Sequence, residues 1–316
     1  MSNPFNIVFC ADHRVLPGLH VATYSLLDRV NTSISQLIIT IFSDALDDAD
    51  MDLLDQTLQR TGKPYSLTLH RITPTIFAKF PMLNDSWATY YRLYAAQVID
   101  ADRFLYVDAD TLCDLDVSGL QFFEMGDKPV AWVPEAPLHH AADRNVAKQL
   151  NGNEFDIYFN AGVMLINSVA WRQQNISERA MDYISTHRPI FHDQSALNVL
   201  LHRNAISLDP KFNCISNIRT NWPAIKKNYG SIGKLIHFVD YPKPWDLSAE
   251  WVHPQYALWR SVLDKTAMSN FRSWHRTAAR RLPQSSKAWS GYWKSTKDQL
   301  LFFCYQKGWL SQVKGM

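Results

Sequence analysis

Apolar positions in the first hundred residues alternate between short unbroken runs and spaced recurrences. Asn6-Ile7-Val8-Phe9-Cys10 is a strand-like run, whereas Leu16, Leu19, Val21, Ala22, Tyr24, Leu26 and Leu27 recur at helical spacing. Residues 37–42 form a second run. Met51, Leu54 and Leu58 then mark a helix that stops at Gly62, and residues 66–72 form a third strand. This β-α-β-α-β order predicts an α/β domain on a largely parallel sheet. The pattern lapses over 74–84, which predicts a loop folding over a ligand. A helix over 86–99 leads into the apolar run Arg103-Phe104-Leu105-Tyr106-Val107. Beyond it the pattern predicts a strand at 130–133, a mobile stretch at 136–154 and a buried strand at 158–166. Helices at 169–185 and 194–202, an irregular stretch at 209–233 and a short strand at 235–239 complete the body.

Composition changes this picture little. With 316 residues, 47% of them hydrophobic and 20% charged, the chain can bury a large α/β core and is not disordered. Cys10, Cys113, Cys214 and Cys304 show no Cys-x-x-Cys spacing, which argues against a zinc site or disulfide framework and fits a reducing cytosol. Met1-Ser2-Asn3-Pro4 leads into the first strand with no signal-peptide pattern, and no stretch approaches the ~20 apolar residues of a membrane span. The expected location is cytoplasmic.

Charge is unevenly divided. From Ala267 onward nine Lys or Arg face one acid, so this tail carries +8 and, with +2 for the whole chain, the remainder carries −6. The expected division is a catalytic body, residues 1–264, and a mainly helical, basic and aromatic C-terminal appendage, residues 265–316.

The candidate chemistry begins at Asp108-Ala109-Asp110. On a continuing strand Asp108 and Asp110 would point the same way, with Ala109 turned into the core. Two carboxylates in one small volume repel each other unless a cation or a shared proton intervenes, and hard oxygen ligands suit Mg²⁺ or Mn²⁺. Solvated turn carboxylates are the plainer reading of an isolated Asp-x-Asp. Four further places set polar residues where core or edge is expected. Asp12 follows the first strand, Asn160 interrupts an apolar strand, Asp193-Gln194 opens a helix, and His237 ends a short strand. Each alone also reads as a cap or a satisfied buried group.

Together and in this order, these residues resemble the retaining family 8 glycosyltransferases. The resemblance rests on Asn6-Ile7-Val8-Phe9 leading to Asp12, Tyr91-Arg92-Leu93, Asp108-Ala109-Asp110, Phe159-Asn160-Ala161-Gly162-Val163, Asp193-Gln194, and His237-Phe238 with Lys243-Pro244-Trp245. It covers about residues 6–245. The resemblance implies a GT-A fold, Rossmann-like, with a mainly parallel central sheet flanked by helices. It implies metal-dependent transfer of a hexose, galactose or glucose, from a UDP-sugar to a hydroxyl of a glycan or glycolipid acceptor, as in lipopolysaccharide synthesis. Asp108, Asp110 and His237 would hold Mn²⁺ or Mg²⁺, and Lys243 a phosphate oxygen. Asp12 would accept from the uracil N–H, and Arg92 would reach the ribose or the sugar. Asn160 and Asp193 would grip sugar hydroxyls, with Ala161 and Gly162 completing the donor site. Gln194 would face the anomeric carbon, favouring a front-face mechanism over covalent catalysis by Asp193. The chain departs from the family at His13-Arg14-Val15, where stacking residues are usual, and at Asp240, where glycine is usual.

Loops at 74–85 and 214–233 are expected to frame the acceptor, with Glu135 a candidate contact and His139-His140 a surface pair. In the tail, Lys and Arg interleaved with Phe271, Trp274, Trp289, Tyr292, Trp293, Phe302, Phe303, Tyr305 and Trp309 suit attachment to an anionic membrane surface, here the inner face of the cytoplasmic membrane. A structural cap is the alternative, and nucleic acid is not expected as a partner. Two other functions stay open: a glycogenin-like, self-glucosylating protein and a nucleotide-sugar-binding protein without turnover.

Overall fold

The computed structural model describes residues 4–31, 33–83, 86–137, 141, 143–150, 156–216, 233–239, 243–246, 249–253 and 255–272. The expected C-terminal appendage beyond 272, His139-His140, Asp240 and most of the 214–233 loop lie outside the described residues.

The alternation of the first hundred residues folds as its periodicity requires. Strands β1 (Pro4–Cys10), β2 (Gln36–Ser43) and β3 (Tyr65–Arg71) alternate with helices α1 (Leu16–Arg29) and α2 (Asp48–Gln59). A proline in its first turn starts α1. A capping box between Asp47 and Asp50 starts α2, and Gly62 follows its end at φ +66°. The expected helix over 86–99 is shorter. Ala88–Tyr90 forms a 3₁₀ turn, and α3 spans Tyr91–Val98.

The chain continues through β4 (Arg103–Val107), β5 (Thr111–Cys113), β6 (Val130–Pro137), α4 (Arg144–Gln149) and β7 (Ile157–Asn167). Next come α5 (Ser168–Gln173), α6 (Ile176–His187), α7 (His192–Leu201), β8 (Ala205–Ser207), β9 (Cys214–Ile215) and β10 (Leu235–His237). Seven strands form the central sheet in the order β3-β2-β1-β4-β7-β6-β8. Only β7 opposes its neighbours, so the sheet is mainly parallel as expected.

The expected mobile stretch is corrected in part: Asp143 caps α4, which buries Val146. The single helix expected over 169–185 is broken at Asn175, in the left-handed region at φ 52°. The 74–84 loop also differs. Pro74–Phe77 is a 3₁₀ turn whose Phe77, with Phe80, packs in the core beside Tyr90 and Tyr91.

Successive residues of β1 face opposite layers. Ile7 and Phe9 join the layer under α1 and α2, while Val8 and Cys10 join the layer under α3, α6 and α7. A second sheet, β5-β10-β9, lies against α1 and the helix Tyr256–Leu263 through Val21, Leu112, Ile236, Trp245 and Trp259. Gly18 in α1 makes this close approach possible. A Cβ there would lie 2.4 Å from the Trp245 ring and 2.5 Å from the Ala109 carbonyl oxygen. Glycine inside a helix costs about 1 kcal/mol relative to alanine, and here it seats the 108–110 turn directly on α1.

The chain packs onward through residue 272. Arg60 donates to the Thr266 carbonyl, Ala267 N–H donates to Thr57, and Phe271 joins the cluster around Trp259.

Candidate functional site

β4 ends at Val107, so Asp108 and Asp110 do not occupy alternate positions of one strand. They lie on the turn between β4 and β5. Backbone bonds from both sheets converge them. Asp108 N–H donates to the Gly162 carbonyl at 2.8 Å, and Phe238 N–H donates to the Asp110 carbonyl at 2.9 Å. Ala109 is buried as expected. The pairing of β10 with β5 sets His237 opposite Thr111, and its Nε2 lies 3.2 Å from Asp110 Oδ1 and 3.5 Å from Asp108 Oδ2.

One atom of each of Asp108, Asp110 and His237 lies within 4.8 Å of the other two, and among the described residues no other trio of such ligands is so placed. The donor set suits a hard or borderline divalent ion such as Mn²⁺ or Mg²⁺. Asp110 Oδ1 is buried without a hydrogen bond, the sort of atom that an ion would satisfy. Lys243 Nζ donates to Asp110 Oδ2 and to the Phe238 carbonyl, each at 2.6 Å. Burial pushes the Asp110 carboxyl up, but the charges of Lys243 and His237 overcome that and hold it well below the usual carboxylate range.

Irregular pairing beside the site frees the backbone that supports it. Register shifts interrupt the β6–β7 ladder after Trp132 and after Pro134, as β-bulges do. Around 160–162 the released groups bond to site residues instead. Ala161 N–H donates to Gln194 Oε1 at 3.0 Å, Ala161 carbonyl accepts from Arg92 at 2.5 Å, and Gly162 N–H donates to Asn160 Oδ1 at 2.9 Å.

Arg92, on α3, is 7% exposed and ties the acids together. Its Nη2 donates to Asp108 Oδ1 at 3.0 Å, and its guanidinium lies over the Tyr106 ring. Nε sits 3.0 Å from Asp193 Oδ2, but it donates to the Thr89 carbonyl, so Asp193 Oδ2 is a close ion-pair partner without a formed hydrogen bond. Asp193 Oδ1 accepts from the Thr89 hydroxyl. Burial raises the Asp193 carboxyl above its ordinary value, a rise that Arg92 and Thr89 only partly offset.

Gln194, in the first turn of α7, is held at both ends. Oε1 accepts from Ala161 N–H, and Nε2 donates to the Tyr158 hydroxyl at 3.1 Å. His192, just before this pair, has φ 50°, where a side chain is uncommon.

These groups line a cavity of about 540 Å³ walled by the ends of β1 and β4, α3, the start of α7 and the Lys243–Trp245 segment. Ligand pockets of this size are typical, and the carboxyl edge of an α/β sheet is their usual place. Asp12, Arg92, Asp108, Ala109, Asp110, Ala161, Asp193, Gln194, His237 and Lys243 all line it. Asn160 and Gly162 lie behind the wall. Asn160 Oδ1 is taken by Gly162 N–H and by Asn213 Nδ2, and Asn160 Nδ2 donates to Glu135 at 3.3 Å.

Asp12 lines the cavity already engaged. Arg14 N–H donates to its Oδ1 at 2.8 Å, and Arg14 Nε and Nη2 donate to its Oδ2 at 2.9 and 2.5 Å. Burial raises this carboxyl, but the Arg14 side chain and backbone more than compensate, leaving it below its ordinary value.

Sequence reasoning missed Tyr158, Thr89 and Asn213. Tyr158 read as strand core, and Asn213 stood in a stretch with no period.

The model for "Glycosyl transferase family 8" matches residues 6–249. A lipopolysaccharide 1,2-glucosyltransferase of Escherichia coli is 27% identical, over 94% of this chain and 91% of that protein. General stress protein A of Bacillus subtilis is also 27% identical, over 79% of this chain and 89% of its own length. A lipopolysaccharide 1,3-galactosyltransferase of Salmonella typhimurium is 27% identical, over 81% and 77%. Among solved structures, the galactosyltransferase LgtC, in complex with donor and acceptor sugar analogues, aligns with a TM-score of 0.68 at 20% identity, over 83% of this chain and 96% of that one. That likeness shows the GT-A fold. The family match begins in β1 and runs past Trp245, across most of the chain, so the protein belongs to glycosyl transferase family 8.

Proposed function

We propose that this chain is a metal-dependent, retaining glycosyltransferase that moves a hexose from a UDP-sugar to a glycan hydroxyl in lipopolysaccharide or a related surface polysaccharide. The observation that carries this reading is the convergence of Asp108, Asp110 and His237 around Asp110 Oδ1, which is buried without a hydrogen bond, with Lys243 alongside, in the cavity wall. The names of the Escherichia coli and Salmonella relatives support the choice of acceptor class.

Asp108, Asp110 and His237 would hold Mn²⁺ or Mg²⁺, which when bound neutralises the charge that develops on a departing diphosphate. Lys243 holds a phosphate oxygen as a second point charge. Arg92 fixes Asp108 and Asp193 relative to each other, so the metal side and the sugar side of the cavity move as one unit. Asp193, with Oδ1 accepting from Thr89 and Oδ2 beside Arg92 without a formed hydrogen bond, is held as a positioned acceptor for a sugar hydroxyl, which discriminates hydroxyl stereochemistry. The same engagement disfavours its attack on the anomeric carbon. Gln194, a poor nucleophile clamped between Ala161 and Tyr158, presents a fixed amide dipole to the reacting centre. The reading is therefore front-face: the leaving phosphate oxygen takes the proton of the incoming hydroxyl. The basic, aromatic segment after residue 264 would bring the enzyme to an anionic membrane surface where lipid-linked acceptors lie.

A panel of UDP-sugars incubated with Mn²⁺ and acceptor glycolipid tests this. Release of UDP and a matching mass gain on the glycolipid for one sugar is the expected outcome. A stable hexose adduct on Asp193 in the intact mass spectrum would overturn the front-face mechanism.

A further inference from the structure

We infer that Asn213 is a positioning residue for metal binding: it fixes His237 as the Nδ1–H tautomer and so turns the Nε2 lone pair toward Asp108 and Asp110. The inference rests on the metal reading above. A chain of hydrogen bonds, its direction set at one end by the backbone, leads to the ring. Gly162 N–H can only donate, so at 2.9 Å it makes the facing atom of Asn160 the carbonyl oxygen, Oδ1. That oxygen also faces Asn213 at 2.9 Å, and two carbonyl oxygens cannot bond each other, so Asn213 presents its Nδ2. Asn213 Oδ1 is thereby turned to the His237 ring, 3.0 Å from Nδ1. A carbonyl oxygen only accepts, so Nδ1 carries the proton.

In the neutral ring the other nitrogen, Nε2, is then a bare lone pair. It is the nitrogen that lies 3.2 Å from Asp110 and 3.5 Å from Asp108. A histidine in the opposite tautomer would aim an N–H at the ion's place. Asn160, Asn213 and His237 are all buried, so water does not compete for these bonds. The ring is also clamped sideways: a Cβ at Gly162 would fall 2.2 Å from its Cε1. Outer partners of this kind orient a ligating imidazole and raise its basicity, and their loss typically costs about 10- to 100-fold in metal affinity. Asn213 also joins the central sheet to the small sheet, from Asn160 on β7 to His237 on β10. A purely structural tie would serve that purpose without setting a tautomer, and this difference is measurable.

The test uses full-length protein labelled with ¹⁵N-histidine and freed of metal, reading the neutral-ring resonances of His237, with His237→Gln to assign them. The expected spectrum has a protonated Nδ1 and an unprotonated Nε2. In Asn213→Leu, which removes the acceptor, the proton shifts toward Nε2, which faces the Asp110 and Asp108 carboxylates, and Mn²⁺ affinity by electron paramagnetic resonance falls about 10- to 100-fold. Asn213→Asp keeps an oxygen facing Nδ1 and retains the Nδ1–H tautomer. A wild-type spectrum with the proton on Nε2 overturns the inference even if no variant folds. So does a folded Asn213→Leu protein with an unchanged His237 spectrum and unchanged Mn²⁺ affinity. Failure of the wild type to bind Mn²⁺ overturns the metal reading and this role with it. The tautomer signal, which needs no metal, tells that failure apart from failure of the relay.

Discussion

The place that a Cβ would take at Gly162 is filled by the imidazole of His237, 2.2 Å away at Cε1 and 2.6 Å at Nδ1, with Asp108 Oδ2 at 2.9 Å. Neither group is the free end of a flexible chain, since Asn213 holds the ring and Arg92 and Tyr106 hold the carboxylate. Gly162→Ala must therefore move one of the groups proposed to hold the ion. Overpacking of this kind costs about 1–3 kcal/mol, so the variant is expected to melt lower yet fold, and to lose at least about tenfold in Mn²⁺ affinity. Unchanged Mn²⁺ affinity in the folded variant would show that His237 is not a ligand.

Arg14 occupies the carboxylate expected to read the base. A partly exposed ion pair is worth about 0–1 kcal/mol, so a nucleotide can displace it at small cost. Arg14→Ala removes the competitor and is expected to tighten UDP binding by up to about fivefold, measured calorimetrically. Weaker binding would mean that Arg14 itself holds the nucleotide.

Tyr158 gives Gln194 one of its two anchors. Tyr158→Phe deletes the hydrogen bond to Gln194, worth about 0.5–1.5 kcal/mol, along with a long one to Asp143 at 3.5 Å, and leaves the Ala161 anchor in place. The expected result is a fall in kcat of about three- to tenfold, with KM for the donor changed much less. A change confined to KM would place Gln194 in ground-state binding alone.

His20 supplies a pH dependence far from the site. It is fully buried on α1, with Nδ1 2.7 Å from Thr57 Oγ1 and Nε2 unpartnered, and burial pulls its pKa from 6.5 down to about 3. Below pH 6.5 the unfolded chain takes up a proton that the folded one refuses. Stability is therefore full above 6.5 and falls as pH drops toward 3, with a limiting slope of about 1.4 kcal/mol per pH unit from this group. Urea midpoints at pH 7 and pH 5 for wild type and His20→Gln check this: the variant should lose part of the decrease. An identical decrease would assign it to other groups.

Much of this architecture is legible locally. Ile7, Phe9, Ile39 and Ile41 recur at every second position on one face, and the spacing of Leu19, Leu26 and Leu54 is set by one helix at a time, so β1 to β3 and their helices read directly from the chain. The direction of β7 does not, because an apolar run such as 161–166 carries no sign of whether its neighbours are parallel. The acids show the same limit. Asp108 and Asp110 were expected to converge by strand alternation, but they converge because Gly162 and Phe238, distant in sequence, bond to the turn that carries them. Asn213 acts through partners on β7 and β10 and Tyr158 through Gln194 on α7, and no local period marks them. Arg92, which the resemblance sends to the ribose or the sugar, is the tie between Asp108 and Asp193.

If Asp108, Asp110 and His237 hold a divalent ion, as proposed, donor binding depends on that ion. Calorimetric titration of UDP into wild type and Asp110→Asn, each with Mn²⁺ and with EDTA, tests it most directly. Tight binding is expected only for wild type with Mn²⁺, and binding at least about tenfold weaker in the other three arms. Equal UDP affinity for wild type with Mn²⁺ and with EDTA would contradict it.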